Sequence, residues 1–111
     1  MENDQIEEGL GFAEFKCSSV NNMRRYSVER TVRGLNEREA RRRAATLANR
    51  EVRAALEASK PFTQCTGECE ILFFGPFIDI EVTYRRGTFF FFLVYATVKS
   101  TGTLFIDCVA S

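Results

Sequence analysis

Cysteine is the residue type in this chain with the widest choice of chemistry, and four cysteines are present. Only Cys65 and Cys69, in the segment C-T-G-E-C, have the close spacing of metal ligands, and a zinc site needs a second such cluster or histidine. The chain has no histidine. We therefore predict no metal site, and Cys65 and Cys69 can instead form a small disulfide loop. Cys17 and Cys108 lie in predicted strands, where we expect small buried apolar residues with free thiols.

Catalytic arrangements are not found in the sequence. The lack of histidine removes nucleophilic catalysis of the Ser–His and Cys–His types. The 7 glycines show neither G-x-G-x-x-G nor G-K-[ST] spacing, so no phosphate-binding loop is predicted. Acidic residues that share one face of a strand are usually solvated, which is our interpretation of two pairs: Glu68 with Glu70, and Asp79 with Glu81. We predict a non-enzymatic protein with no catalytic residues and no cofactor.

Arginines on one face of a predicted helix are candidates for binding a partner: Arg42, Arg43, Arg50 and Arg53. Phosphate binding requires a surface of one charge sign. Glutamates are interleaved with these arginines, and the whole chain carries 15 basic and 15 acidic residues. A nucleic-acid-binding protein is therefore an alternative that we do not favour.

The helix itself is predicted over residues 36–59, where apolar residues recur with a period of about 3.6. Asn36 is a good N-cap, and Glu39 completes a capping box three residues later. The apolar side of this helix is mostly alanine, so the helix can approach closely the layer that it covers. Pro61 ends the helix, because the residue before a proline leaves the α region.

The rest of the chain predicts strands. Residues 1–10 form a flexible acidic tail, and residues 11–111 form a single α+β domain. Asn21 and Asn22 indicate the turn of an N-terminal hairpin, whose strands we place at residues 11–19 and 24–33. After the helix, the turn signals Gly75-Pro76, Arg86-Gly87 and Ser100-Thr101-Gly102 divide the chain into a four-stranded antiparallel meander that wraps the helix: residues 68–74, 77–85, 88–99 and 103–110.

This order of elements resembles that of cystatin-like and hot-dog-like folds. The Q-x-V-x-G loop of the cystatins is not matched, because the corresponding loop is V-N-N-M at residues 20–23. The acidic residue on the hot-dog helix is not matched either. The resemblance therefore implies a fold and no activity.

An apolar surplus on the strands points to a function. Residues 88–98 (T-F-F-F-F-L-V-Y-A-T-V) are apolar on both faces, and one helix covers only one side of a sheet. Exposed aromatic patches commonly bind other proteins. We predict an interaction face that contains Leu72, Phe74, Phe89, Phe91 and Phe105.

The leading hypothesis is a protein–protein interaction module, of the inhibitor, immunity-type or regulatory kind, that binds a protein partner and forms a homodimer through the Phe-rich sheet. A small-ligand binder with a pocket between helix and sheet is a further alternative. The most apolar run, residues 89–96, is far shorter than the roughly 20 residues of a membrane-spanning helix. We therefore predict a soluble, cytoplasmic protein without a membrane-embedded part.

Overall fold

The computed structural model describes residues 10–87 and 93–110, and Phe89 and Phe91 lie outside them. Within these residues the fold is α+β, with one long helix and two sheets. A 3-10 turn, Lys60–Phe62, follows the helix. The elements in chain order are β1 (Ala13–Phe15), β2 (Asn22–Gly34), α1 (Glu37–Ser59), β3 (Thr63–Cys65), β4 (Cys69–Arg86) and β5 (Val94–Ala110).

The helix forms where the sequence predicts it. Its N-cap is Asn36, whose Oδ1 accepts the backbone N–H of Glu39 at 2.8 Å. The carboxylate of Glu39 in turn accepts the N–H of Leu35, the residue before the N-cap, at 2.8 Å, so the side chains of Asn36 and Glu39 both fix the start of the helix. Arg43 forms an i,i+4 ion pair with Glu39 at 3.0 Å. The buried stripe of the helix consists of small and aliphatic side chains: Ala40, Ala44, Ala48, Val52, Leu56 and Ser59.

The large sheet has three antiparallel strands in the order β2-β5-β4, not the four strands of the predicted meander. Two expected turns do not exist. Ser100-Thr101-Gly102 continues β5 without interruption, and Gly75-Pro76 is accommodated by an irregularity within β4. Glycine at position 102 serves packing instead of a turn, because a Cβ there would clash with Cγ1 of Val52. The cystatin-like order is not confirmed.

The predicted N-terminal hairpin does not form. β1 pairs with β3, in parallel, and makes no ladder with β2. The link is reinforced where the two strands end: the N–H of Thr66 donates to the carbonyl of Phe15 at 2.8 Å, and the N–H of Cys17 donates to Oγ1 of Thr66 at 2.9 Å. Asn21 does take the left-handed conformation that we expected of a turn residue, at a φ of 63°.

The helix and the small sheet lie on the same side of the large sheet. Side chains of β5 alternate, and the even-numbered ones are buried against this side. Ser100 donates to Oδ1 of Asn49 in the helix at 2.7 Å, and Cys108 is bonded to Cys65 of β3. The helix packs mainly on β2 and β5 and only lightly on β4.

Arg24 joins three parts of the chain beneath the end of the helix. It is a β2 residue that is 2 % exposed. Its guanidinium donates to Oγ1 of Thr63 at 2.8 Å and to the carbonyl of Gly11 at 2.6 Å. The hydroxyl of Thr63 then donates to the carbonyl of Ser59 in the last helical turn at 2.8 Å. A buried cation that is hydrogen-bonded to several segments holds them in one arrangement.

Gly34 marks the closest approach between β2 and the helix, and it provides a test of the packing. A Cβ at this position would lie 2.7 Å from the backbone N of Ala40, which cannot move without shifting the helix. We expect Gly34→Ala to lower the free energy of unfolding by about 2 kcal/mol, the scale of overpacking in a core. Denaturant unfolding measures the change.

Gly11→Ala is the matched control, because a Cβ at Gly11 meets no atom within 4 Å. We expect its effect to stay within about 0.5 kcal/mol. Equal stabilities of the two variants would contradict the described contact between β2 and the helix.

Candidate functional site

The face of the large sheet that points away from the helix is the candidate site. Among residues 10–87 and 93–110, no helix or strand packs on it. Its side chains are the odd-numbered residues of β2 and β5 together with their cross-strand neighbours on β4. They are half-buried or exposed, whereas the even-numbered residues of β5 from Val94 to Cys108 are buried. We call this surface the open face.

An apolar cluster occupies one end of the open face. It comprises Leu72, Phe74, Phe77 and Phe105, of which the first three are 40 %, 48 % and 60 % exposed. Phe74 stands directly opposite Phe105 in the ladder, and the ring centroids of Phe77 and Phe105 are 5.9 Å apart at 57°. Tilted aromatic pairs at this distance attract each other. The cluster is therefore an ordered apolar surface that remains open to solvent.

The irregularity in β4 creates this cluster. Phe74 and Phe77 are three residues apart, so in a regular strand they would point to opposite faces. A shift of register between them brings both rings to the open face. Gly75 adopts a φ of 105°, a conformation that other residues rarely take.

The sequence does not single out Phe77, because Gly75-Pro76 predicts a turn between two strands. A glycine–proline pair inside a long apolar strand pattern also indicates a bulge, and this signal was available in the sequence. Leu72, Phe74 and Phe105, which the sequence did single out, lie on the same face of the sheet. Phe89 and Phe91 fall outside the described residues.

Apart from Met23 and Val109 beside the cluster and Tyr95 at the far end, the remainder of the open face is polar. Threonine hydroxyls of neighbouring strands bond across it, as between Thr31 and Thr97 at 2.7 Å. Lys99 stands between Glu29 and Glu81 in the ladder. Polar rows of this kind are what a solvated sheet face carries. The apolar cluster is thus confined to one end of the face.

The helix arginines lie on the surface opposite the sheet. Arg42, Arg43, Arg50 and Arg53 are all exposed, and Arg43 is paired with Glu39. A shallow depression at the start of the helix is lined by Leu35, Asn36, Arg38, Glu39 and Arg42. It opens to solvent and does not lie between helix and sheet, where Val52 and Leu56 fit directly over Gly102.

The cysteines are paired differently from the expectation. Cys17 is bonded to Cys69, with Cα atoms 5.5 Å apart, and Cys65 is bonded to Cys108, with Cα atoms 5.7 Å apart. The loop between Cys65 and Cys69 is therefore not closed by a disulfide, and Cys17 and Cys108 are not free thiols. The physical reason is the parallel pairing of β1 with β3, which brings Cys17 beside the start of β4. The sequence cannot reveal this pairing, because four cysteines allow three connectivities.

Within the described residues, no three histidine, cysteine or acidic side chains are grouped as metal ligands would be. The described part of the chain also contains no helix with the length and apolar character needed to cross a bilayer. No protein-family model matches the chain, and neither the curated proteins nor the solved structures contain a significant match to it.

Proposed function

We propose that this chain is a non-enzymatic binding module that attaches to a protein partner through the apolar cluster of the open face. The observation that carries the proposal is the exposure of Leu72, Phe74 and Phe77 on a sheet face that no described element covers. Exposed contiguous apolar surface is uncommon on isolated proteins and is a usual feature of binding sites. Aromatic side chains in such a surface supply most of the affinity.

The charges beside the cluster favour a particular kind of partner. Glu70, Asp79 and Asp107 border it along β4 and β5, and they outnumber the basic Arg25, which lies across Thr103 on β2. Complementary charges around an apolar contact increase the association rate and select the partner. We therefore favour a partner whose apolar anchors are flanked by basic side chains. Self-association through the same face, which the sequence analysis predicted, is the alternative that the experiment below separates.

The two disulfides bear on where the module acts. Disulfides persist in oxidising compartments and are rare in the cytosol. Two pairs that involve all four cysteines support an extracytoplasmic or extracellular site of action in place of the cytoplasmic one expected from free thiols. In such a setting an inhibitory or immunity-type role fits a small, cross-linked binding protein.

The test compares variants on immobilised protein exposed to an extract of the source organism. We expect a protein partner to be retained by the wild type, and its affinity to fall at least about 30-fold in Phe74→Ser/Phe77→Ser, the scale of aromatic hot spots. Phe62→Ser is the matched control, since Phe62 is 56 % exposed on the 3-10 turn away from the open face. It should retain the partner fully.

Other outcomes separate the alternatives. The proposal would be contradicted if the wild type retained nucleic acid instead of a protein and Arg50→Glu/Arg53→Glu lost that binding. This result would favour nucleic-acid binding by the helix arginines. Sedimentation of the purified protein tests self-association through the cluster, because Phe74→Ser/Phe77→Ser would then convert a dimer into a monomer. If the affinity for the partner is unchanged in Phe74→Ser/Phe77→Ser, the apolar cluster of the open face is not the binding site.

A further inference from the structure

β4 is an edge strand that differs from the other edge of the same sheet. Both outer strands, β2 and β4, have a neighbour on one side only among the described residues. The β2 edge is covered on its helix side, where Arg30 forms an ion pair with Glu51 of α1. β4 has no such cover, because the helix packs only lightly on it.

Apolar side chains on the helix side of β4 are consequently left incompletely buried. Ile78, Ile80 and Val82 are half-buried at the margin of the core, and Tyr84 is 42 % exposed. After Pro76, the strand runs to Arg86 without a residue that lacks a backbone N–H. An edge with free backbone groups and apolar side chains at its margin is a template for a further strand.

The charges along β4 allow two copies of this strand to pair with opposite charges facing each other. Asp79, Glu81 and Arg85 all lie exposed on the open face, and none of them makes an ion pair within the described ranges 10–87 and 93–110. The guanidinium of Arg85 is held on that face, 4.3 Å from the ring centroid of Tyr95. In antiparallel pairing about a two-fold axis at Val82 or Thr83, Arg85 of one copy stands opposite Asp79 or Glu81 of the other.

We propose that two copies of this chain pair antiparallel through residues 78–86 of β4 and form one continuous six-stranded sheet. Each half contributes an acidic segment that faces Arg85 of the second copy, and opposite charges across strands stabilise such pairs. On the other side of the sheet, Val82 of each copy meets Val82 or Tyr84 of the second copy. The symmetric arrangement closes after two copies, as most homo-oligomers do.

This dimer does not use the apolar cluster and does not depend on the proposed partner. Antiparallel pairing at an edge keeps each face of the sheet on its own side, so both open faces point in the same direction. A dimer would therefore present two apolar clusters on the same side of the sheet, more than about 30 Å apart along the paired strands. A partner that binds both clusters gains apparent affinity without a new kind of contact.

Charge variants test the pairing. Arg85→Glu makes the open-face charges of this segment all acidic, and Asp79→Arg/Glu81→Arg makes them all basic. We expect the dissociation constant of each variant dimer, measured by sedimentation equilibrium, to rise at least about tenfold because like charges then oppose each other. Mixing the two variants should restore association as a heterodimer. Glu29→Arg is the matched control, because Glu29 on β2 faces Lys99 just as Glu81 does on β4, and it should leave the dimer unchanged.

Spin labels locate the interface. A nitroxide at Thr83→Cys should show strong dipolar broadening, because the two labelled positions lie about 5–8 Å apart across the paired edges. The control is Thr31→Cys, since Thr31 and Thr83 both oppose Thr97 in the ladder. In the dimer the two Thr31 positions are separated by five strand spacings, about 24 Å, and should show no such broadening.

Three results would overturn the proposal: a monomer at every concentration, association that the Arg85→Glu change leaves intact, or broadening from Thr31 and not from Thr83. Loss of the dimer in Phe74→Ser/Phe77→Ser but not in the charge variants would also overturn it. That last result would leave the binding role of the open face in place.

Discussion

Removal of the Cys65–Cys108 disulfide by Cys65→Ala/Cys108→Ala is expected to lower the free energy of unfolding by about 4 kcal/mol. The bond closes a loop with a sequence separation of 43 residues. Without it, the unfolded chain regains conformational entropy, which favours unfolding. The bond also attaches the small sheet to the large one, because Cys65 ends β3 and Cys108 lies buried in β5. Denaturant unfolding of the oxidised protein measures the loss.

The second disulfide provides the comparison. Cys17→Ala/Cys69→Ala opens a sequence separation of 52 residues, so the chain-entropy contribution is nearly the same, about 4 kcal/mol. Cys108 is fully buried and Cys17 only partly, so we expect the first variant to be the less stable of the two. Free thiols in the native wild type, or a cost below about 1 kcal/mol for both variants, would contradict the described pairing.

Arg24→Ala is expected to cost about 3 kcal/mol, because hydrogen bonds to a buried charged group are worth more than neutral ones and a cavity remains. The change removes the guanidinium that donates hydrogen bonds to Oγ1 of Thr63 and to the carbonyl of Gly11. Arg24→Lys should recover little of the loss, since one ammonium cannot reproduce the fork of the guanidinium. Thermal and denaturant unfolding report the difference.

Arg33→Ala is the control for this prediction. Arg33 lies on the same strand, β2, but is exposed on the open face. Its replacement should change stability by no more than about 0.5 kcal/mol. If Arg24→Ala were as stable as Arg33→Ala, Arg24 would not connect the helix end to the N-terminal segment.

The helix was predictable from the sequence because its signals are local. Asn36 and Glu39 fix the start, Pro61 follows the end, and the period of the alanines identifies the buried face. The strand segments were recognised, but β4 and β5 were each divided into two strands, because the glycines within them predict turns. At position 102 glycine allows Val52 and Leu56 to approach, and at position 75 it permits a bulge. At position 102 the local sequence does not distinguish this use from a turn, whereas Gly75-Pro76 in an apolar strand pattern is compatible with both a turn and a bulge.

Long-range pairing was not predictable. β1 pairs in parallel with β3, which lies about fifty positions further along the chain in the register that joins Ala13 to Thr63. Short strands of this kind carry too little pattern to identify their neighbour. The disulfide connectivity follows from this pairing and was missed with it.

The candidate site was predicted in part. Leu72, Phe74 and Phe105 were identified from surplus apolar strand surface, and the register places them on one face. Phe77 was not, because its orientation depends on a single register shift that reverses the alternation of β4. Side chains in a strand alternate between the two faces of the sheet. One extra residue therefore exchanges the predicted faces of all the residues that follow it.

Site-specific photocrosslinking at Phe77 tests most directly whether the open face is a binding surface. A benzophenone side chain at position 77 should produce one discrete adduct with a protein of the source extract, whereas the same group at position 62 should produce none. Excess wild type should abolish the adduct, and excess Phe74→Ser/Phe77→Ser should not. Identical adducts from both positions, or competition by both proteins alike, would contradict the account.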